Sequence, residues 1–256
     1  MNDTQLRRSM VCHICKQALI FKKIFGYCSR CKVRIKQVNG IWHCLGKLSP
    51  STLNAKKQYD SLFKHEFGGP TDGSYEILAS FARGNRSIDI SCGTGLIERL
   101  SPQTVGVDFS LTALKQAKKN GAKYLILADA HTLPFSNDSF DVAISSGNLE
   151  HFDNPQLALS EMARISKMQI VIVHKYPPIP YAKLMYQLVT NFFLVQHQPI
   201  ERPIGIRELE KMYSRAGLHI AFKGVWTLPF NSGRVLRWLP EIKLFPSAWF
   251  VISIKQ

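Results

Sequence analysis

The sequence predicts an α/β architecture, a doubly wound, mostly parallel sheet with helices on both faces, preceded by a small cysteine-rich head. Three observations predict it. From Tyr75 onward, short apolar runs alternate with amphipathic helical segments, acids and glycine turns recur where those runs end, and two Cys-x-x-Cys pairs are confined to the N-terminal region.

The bulk properties bound what the motifs can mean. At 256 residues and 45% hydrophobic content, the chain is long enough for one good-sized core and a small accessory module. No stretch approaches the roughly 20 apolar residues that span a bilayer. The opening MNDTQLRRSM lacks the apolar segment of a secretory signal. A cytoplasmic location is therefore expected, and six cysteines in that compartment read as metal ligands or buried thiols rather than disulfides.

The head, residues 1–47, carries Cys12-His-Ile-Cys15 and, after twelve residues, Cys28-Ser-Arg-Cys31. Two such knuckles close a tetrahedral four-cysteine zinc site, and the spacer suits a short hairpin near Gly26 and Tyr27. So small a head builds little core alone, which makes the metal its main stabiliser. His13, His43 and Cys44 are substitute ligands by type, but surface or ribbon packing suits each better.

Charge concentrates in the same segment. The whole chain has 33 Lys and Arg against 18 Asp and Glu, a formal +15; the head has ten basic residues against one acid, a formal +9. Four thiolates around one zinc bring the head to about +7. Such a patch favours a phosphate-bearing partner, RNA or an anionic membrane surface, and otherwise serves as a solvated face.

Residues 48–73 read as a linker with a helical middle, LNAKKQYDSLFKHEF, ending at the breakers Gly68, Gly69 and Pro70. Residues 74–256 form the main domain. Its helices are expected over Tyr75–Ala82, Leu111–Asn120 and Pro155–Ile165, and its strands over Ser87–Ser91, Thr104–Asp108, Tyr124–Ala128, Val142–Ser146 and Gln169–His174. Ser110 and Asp153 or Asn154 supply N-caps, with Pro155 at the first helical position.

Four motifs end successive strands. The first is Ser87-Ile-Asp89-Ile-Ser-Cys-Gly93-Thr-Gly95, whose glycines permit a sharp turn and close approach to a ligand at a helix N-terminus. Glu98 stands three residues after Gly95, where a dinucleotide fingerprint has glycine, so nicotinamide binding is disfavoured. Val105-Gly-Val-Asp108 places a carboxylate where it can accept hydrogen bonds from both hydroxyls of a ribose. Ala128-Asp129-Ala130-His131-Thr-Leu-Pro-Phe135 and Ser139-Phe140-Asp141-Val142-Ala-Ile-Ser-Ser146-Gly147-Asn-Leu-Glu150-His151 follow in order.

These residues resemble the class I S-adenosylmethionine-dependent methyltransferases, in particular the type 11 branch, whose motifs read D-x-G-C-G-T-G, G-V-D-x-S, D-A-x-x-L-P-F and F-D-x-V-x-x-x-x-x-L-x-H. The resemblance covers roughly Tyr75 to Gln256 and implies a Rossmann-like fold. It implies that Asp89, Gly93 and Gly95 surround the methionine end of the cofactor. Asp108 then holds the ribose, Asp129 and the Ala130 N–H address the adenine, and Ser146 and Gly147 line the cofactor near its sulfonium. Ser91, where the family commonly has glycine, and a short helix between Gly95 and Asp108 are the main departures.

Simpler roles stand beside these. Asp89 can brace the glycine turn, Asp129 can be an ordinary turn residue, and Cys92 reads as packing. His151 is the one general-base candidate of the fourth motif, and it can equally orient a helix start. Methyl transfer from a sulfonium needs alignment and water exclusion more than acid or base groups, so the lack of a catalytic triad is no objection.

The acceptor is less legible. Neither an N/D-P-P-Y/F motif after the fourth strand nor a Pro-Cys nucleophile is found, which argues against adenine or glutamine amino-group and cytosine C5 methylation. An apolar and aromatic insertion between His174 and Ile206 suits a small-molecule or lipid-like acceptor, or core packing. An RNA methyltransferase using the basic ribbon, as in the ribosomal guanine-N1 enzymes that join a zinc ribbon to this kind of domain, is the second reading. A non-catalytic module that binds cofactor or a protein partner is the third.

Overall fold

A computed structural model describes residues 1–65, 73–174, 200, 202, 204–226 and 248–255. Its strands are β1 (Ile20–Lys22), β2 (Phe25–Tyr27), β3 (Arg34–Val38), β4 (Ile41–His43), β5 (Ser87–Ile90), β6 (Val105–Asp108), β7 (Tyr124–Leu127), β8 (Phe140–Ser146), β9 (Ser166–His174), β10 (Leu218–Trp226) and β11 (Ala248–Lys255). The helices are α1 (Asp3–Ser9), α2 (Pro50–Leu62), α3 (Ser74–Ala82), α4 (Leu96–Leu100), α5 (Leu111–Lys119), α6 (Pro155–Ile165) and α7 (Ile206–Arg215).

The strands form one sheet in the order β1-β2-β3-β4-β7-β6-β5-β8-β9-β11-β10. The five central strands β7, β6, β5, β8 and β9 are parallel, and β11 closes the far side antiparallel to β9. The chain runs outward from β5 through β6 to β7, then returns to β8 on the other side of β5. That reversal opens a crevice at the carboxyl ends of β5 and β8, where open α/β sheets bind ligands.

Local sequence explains the elements that frame this crevice. The four residues of β5 and the four of β6 are all buried, as expected of strands covered on both faces. Ser110 caps α5 by accepting the Ala113 N–H at 3.2 Å, and Asn154 caps α6 by accepting that of Leu157 at 3.0 Å, with Pro155 in the first turn. In α7, Leu209, Met212 and Tyr213 recur at helical spacing and are buried.

The head is joined to the main sheet rather than tethered beside it. Its strand β4 pairs in parallel with β7, Ile41 opposite Leu125 and His43 opposite Leu127. Trp42 and Met10 are buried in the same apolar cluster as Ile126 and Phe135. The Val11 N–H donates to the Pro134 carbonyl at 2.9 Å, and Lys16 Nζ reaches both the Leu133 carbonyl and Glu161. The expected hairpin is formed by β1 and β2, but Gly26 lies within β2; a Cβ there would meet the Phe21 and Ile35 side chains at 3.0–3.1 Å. Among the described residues no helix is long and apolar enough to cross a membrane. Most of the insertion between His174 and Ile206 lies outside the described residues.

Candidate functional site

The glycine turn after β5 is held open by backbone conformation. Gly93 and Gly95 have φ of 54° and 76°, and a Cβ on Gly95 would stand 2.8 Å from that of Ala117 on α5. Ser91, which begins the turn, is also left-handed at φ 61°, a conformation that costs a side-chain-bearing residue about 1–2 kcal/mol. Asn148 braces the turn, donating from Nδ2 to the carbonyls of Ile90 at 3.2 Å and Ser91 at 3.3 Å.

Asp108, at the end of β6, accepts the Gly93 N–H at 3.0 Å and the Ser110 N–H at 2.7 Å. It therefore organises the turn, and each carboxylate oxygen retains a lone pair for a ligand. Burial pushes Asp108 up to about 6. Glu98, wholly buried on α4, is pushed up to about 8 by the same cause, and both of its oxygens lack a hydrogen-bond partner among the described residues. Asp89, buried at the centre of β5, is raised by burial, then by Glu98 and Asp108. Three carboxyl groups thus crowd beneath one crevice, and burial together with their mutual repulsion holds them toward the protonated, neutral form.

Asp129 caps the turn Ala130–Thr132 with Oδ1, which accepts the His131 N–H at 3.0 Å and lies 2.6 Å from His131 Nδ1. Asp108, Asp129, Ala130 and His151 line one cleft, whose opposite wall is Thr52 and Ala55 of α2. The linker helix is therefore part of the site. Asp60 on α2 accepts the Ser110 hydroxyl at 2.6 Å, and the Phe63 ring packs against Gly93. Ser146 ends β8, and Gly147 follows with φ 66°; a Cβ there would stand 2.8 Å from His174 Cε1. His151 is nearly buried, with Nδ1 2.5 Å from the Ile200 carbonyl. Cys92 is buried and its thiol is raised by burial, as packing requires.

In the head, the sulfur atoms of Cys12, Cys15, Cys28 and Cys31 lie within 4.8 Å of one another. The two knuckles share one geometry. The Cys12 and Cys28 N–H groups each donate, at 2.9 Å, to the carbonyl five residues on, and Lys16 and Lys32, just after the second cysteines, have φ of 58° and 56°. The Gln17 N–H pulls the Cys15 thiol down to about 7, whereas Cys31, sharing a hydrogen bond with Cys15, is pushed up to about 12. Four converging sulfurs on paired turns fit a structural zinc. His13, His43 and Cys44 lie outside this group.

The sheet order defines an α/β domain of the doubly wound class, with a cleft at the carboxyl ends of its central strands. Residues 88–173 match the family model described as a methyltransferase domain. An uncharacterised protein of Methanocaldococcus jannaschii is 38% identical over 112 residues, 43% of this chain but only 44% of its own length. Demethylmenaquinone methyltransferase of Staphylococcus aureus is 28% identical over 165 residues, 53% of this chain and 68% of that one. Among solved structures, an S-adenosylmethionine-dependent methyltransferase of Mesorhizobium loti superposes with a TM-score of 0.54 at 20% identity, covering 72% of this chain and 99% of that one. Magnesium protoporphyrin IX methyltransferase of Synechocystis, with bound S-adenosylhomocysteine, gives 0.50 at 13%, covering 82% and 90%. Residues 88–173 thus match a methyltransferase domain, and the chain shares the fold of S-adenosylmethionine-dependent methyltransferases.

Proposed function

We propose that this protein transfers a methyl group from S-adenosylmethionine to a small-molecule or lipid-like acceptor. The observation that carries the reading is the cleft at the carboxyl ends of β5, β6 and β7, lined by the carboxyl groups of Asp108, Asp129 and Asp153, with no basic side chain among its described lining residues except His131 and His151. S-adenosylmethionine, positively charged at its sulfonium and ammonium, suits that field and brings a methyl group activated for displacement.

In this reading the residues position and desolvate. Asp108 accepts from the ribose, while Asp129 and the Ala130 N–H address the adenine. Asp89, Gly93 and Gly95 border the methionine end, and Ser146 with Gly147 lines the side where the acceptor approaches. The α2 wall excludes water from one side, which strengthens each electrostatic contact. Alignment of an acceptor lone pair with the methyl carbon supplies the catalysis, and His151 is the candidate base where the acceptor carries a proton.

Two of the similar proteins are named for small-molecule substrates, demethylmenaquinone and magnesium protoporphyrin IX, and they support an acceptor of that kind. The four-cysteine head is read as a structural zinc ribbon that also binds along the edge of β7. All six cysteines are free thiols, in keeping with a reducing, cytoplasmic setting. The test is methyl transfer from labelled S-adenosylmethionine to a panel of quinols, phenols and short RNAs. Label in the small molecules supports the reading, and label only in RNA replaces it with the ribbon-guided alternative.

A further inference from the structure

We propose that Glu150, His151 and His174 form a second divalent-metal site, beside the methyl-transfer cleft, that binds the oxygen of a hydroxyl-bearing acceptor. The three residues come from the turn Leu149–His151 and the end of β9, and their donor atoms lie within 4.8 Å of one another.

The hydrogen bonds fix what each donor presents. His151 Nδ1 is 2.5 Å from the Ile200 carbonyl, which can only accept, so Nδ1 carries the proton and Nε2 offers a lone pair. A backbone carbonyl in that position is the usual outer partner of a metal-bound histidine. That lone pair lies 3.9 Å from Glu150 Oε1. A charged imidazole would close on the carboxylate to about 2.7–2.9 Å. Two donors each about 2.0–2.2 Å from a shared ion, by contrast, stand up to about 4 Å apart.

Glu150 is the second, independent pointer. It is 2% exposed, and Oε1 accepts the His174 backbone N–H at 2.9 Å and lies 2.5 Å from His174 Nδ1. Its Oε2 is buried without a hydrogen-bond partner among the described residues, a costly arrangement for a carboxylate. A simple Glu150–His174 proton dyad leaves the His151 lone pair unused and the buried carboxylate charge uncompensated; a cation held by His151 and a Glu150 oxygen answers both.

Two imidazoles and one carboxylate select a first-row ion such as zinc, cobalt or iron(II) over magnesium or calcium. Three protein ligands leave a coordination position open. The His174 side chain is 45% exposed and its ring packs over Gly147, so the site adjoins the acceptor end of the cleft. With His151 Nε2 on the ion it is no longer free to act as a base, and an acceptor hydroxyl bound there loses its proton to solvent at a lowered pKa instead. Its oxygen then bonds to the methyl carbon as the sulfur–methyl bond breaks, giving a methyl ether and S-adenosylhomocysteine. This role rests on the cofactor reading above; the metal binding does not.

The test is titration of the zinc-loaded full chain with cobalt(II), read by calorimetry and visible absorption. One equivalent beyond the ribbon zinc is expected, with nitrogen and oxygen ligation and no thiolate-to-cobalt band. His174→Ala, at a half-exposed position, and Glu150→Gln, with its fold checked by circular dichroism, are each expected to weaken that binding at least tenfold. A wild type that takes up no cobalt beyond the ribbon, or a His174→Ala chain that binds as tightly, overturns the proposal. S-adenosylhomocysteine binding to the same wild type is measured separately, so its failure would count against the cofactor reading alone.

Discussion

The Ser110 hydroxyl donates to Asp60 Oδ1 at 2.6 Å, and Asp60 Oδ2 pairs with Lys56 at 2.5 Å. One carboxylate thus ties the wall helix α2 to the strand end that carries Asp108. Asp60→Ala removes both contacts and is expected to cost about 1–2 kcal/mol of stability. It should also weaken S-adenosylhomocysteine binding about tenfold, or 1.4 kcal/mol. Calorimetry on the variant reads this directly, and an unchanged affinity would show that α2 does not form the cofactor wall.

The four-cysteine head predicts one zinc per chain by elemental analysis. Replacing Cys12 and Cys15 together by serine is expected to release it and to lower the melting temperature of the whole chain, because Met10 and Trp42 share a core with Ile126 and Phe135. A variant that loses zinc yet melts unchanged would mean that the head contributes nothing to the main core.

Ser91 occupies a left-handed backbone position that glycine takes without strain. Relief of about 1–2 kcal/mol, less the greater unfolded-state freedom of glycine, leaves Ser91→Gly more stable by about 0.5–1 kcal/mol. Denaturant unfolding with an unchanged slope checks it. A destabilised variant would show that the serine side chain makes contacts outweighing its strain.

Glu98 keeps its proton in the folded chain up to about pH 8, whereas the unfolded chain releases it near the usual carboxylate value of 4.5. Its stabilising share is therefore complete below pH 4.5 and is lost as pH rises through 8. Glu98→Gln cannot ionise, so it is expected to melt higher than wild type at pH 8 and close to it at pH 5. Parallel melting curves for the two proteins across that range would contradict the buried, protonated state.

Much of the main domain was legible because its determinants are local. Asp108 ends β6, Asp89 lies near the end of β5, Asp129 and Gly147 follow β7 and β8, and Ser110 and Asn154 cap helices where their side chains reach N–H groups three residues on. What was not legible depends on contacts distant in sequence. The alternation of β4 does not reveal that it pairs with β7 some eighty residues later, and α2 reads as a linker until its Thr52 and Ala55 face Asp108 across the cleft. Glu98 looked only like a missing glycine; its burial follows from packing below Gly106, whose absent side chain leaves it room. His174 ended a strand with no motif to mark it, and its meeting with Glu150 arises because β8 and β9 are neighbours.

The central claim is that this cleft holds S-adenosylmethionine. Because Asp108 also holds the Gly93 and Ser110 N–H groups, alanine there would loosen the turn as well as the ligand, and Asp108→Asn is the cleaner variant. Calorimetric titration of both proteins with S-adenosylhomocysteine, alongside their melting curves, is the most direct measurement. The predicted result is saturable one-to-one binding to the wild type, weakened at least tenfold in a folded Asp108→Asn chain. No binding to the wild type, or equal binding to both, would contradict the account.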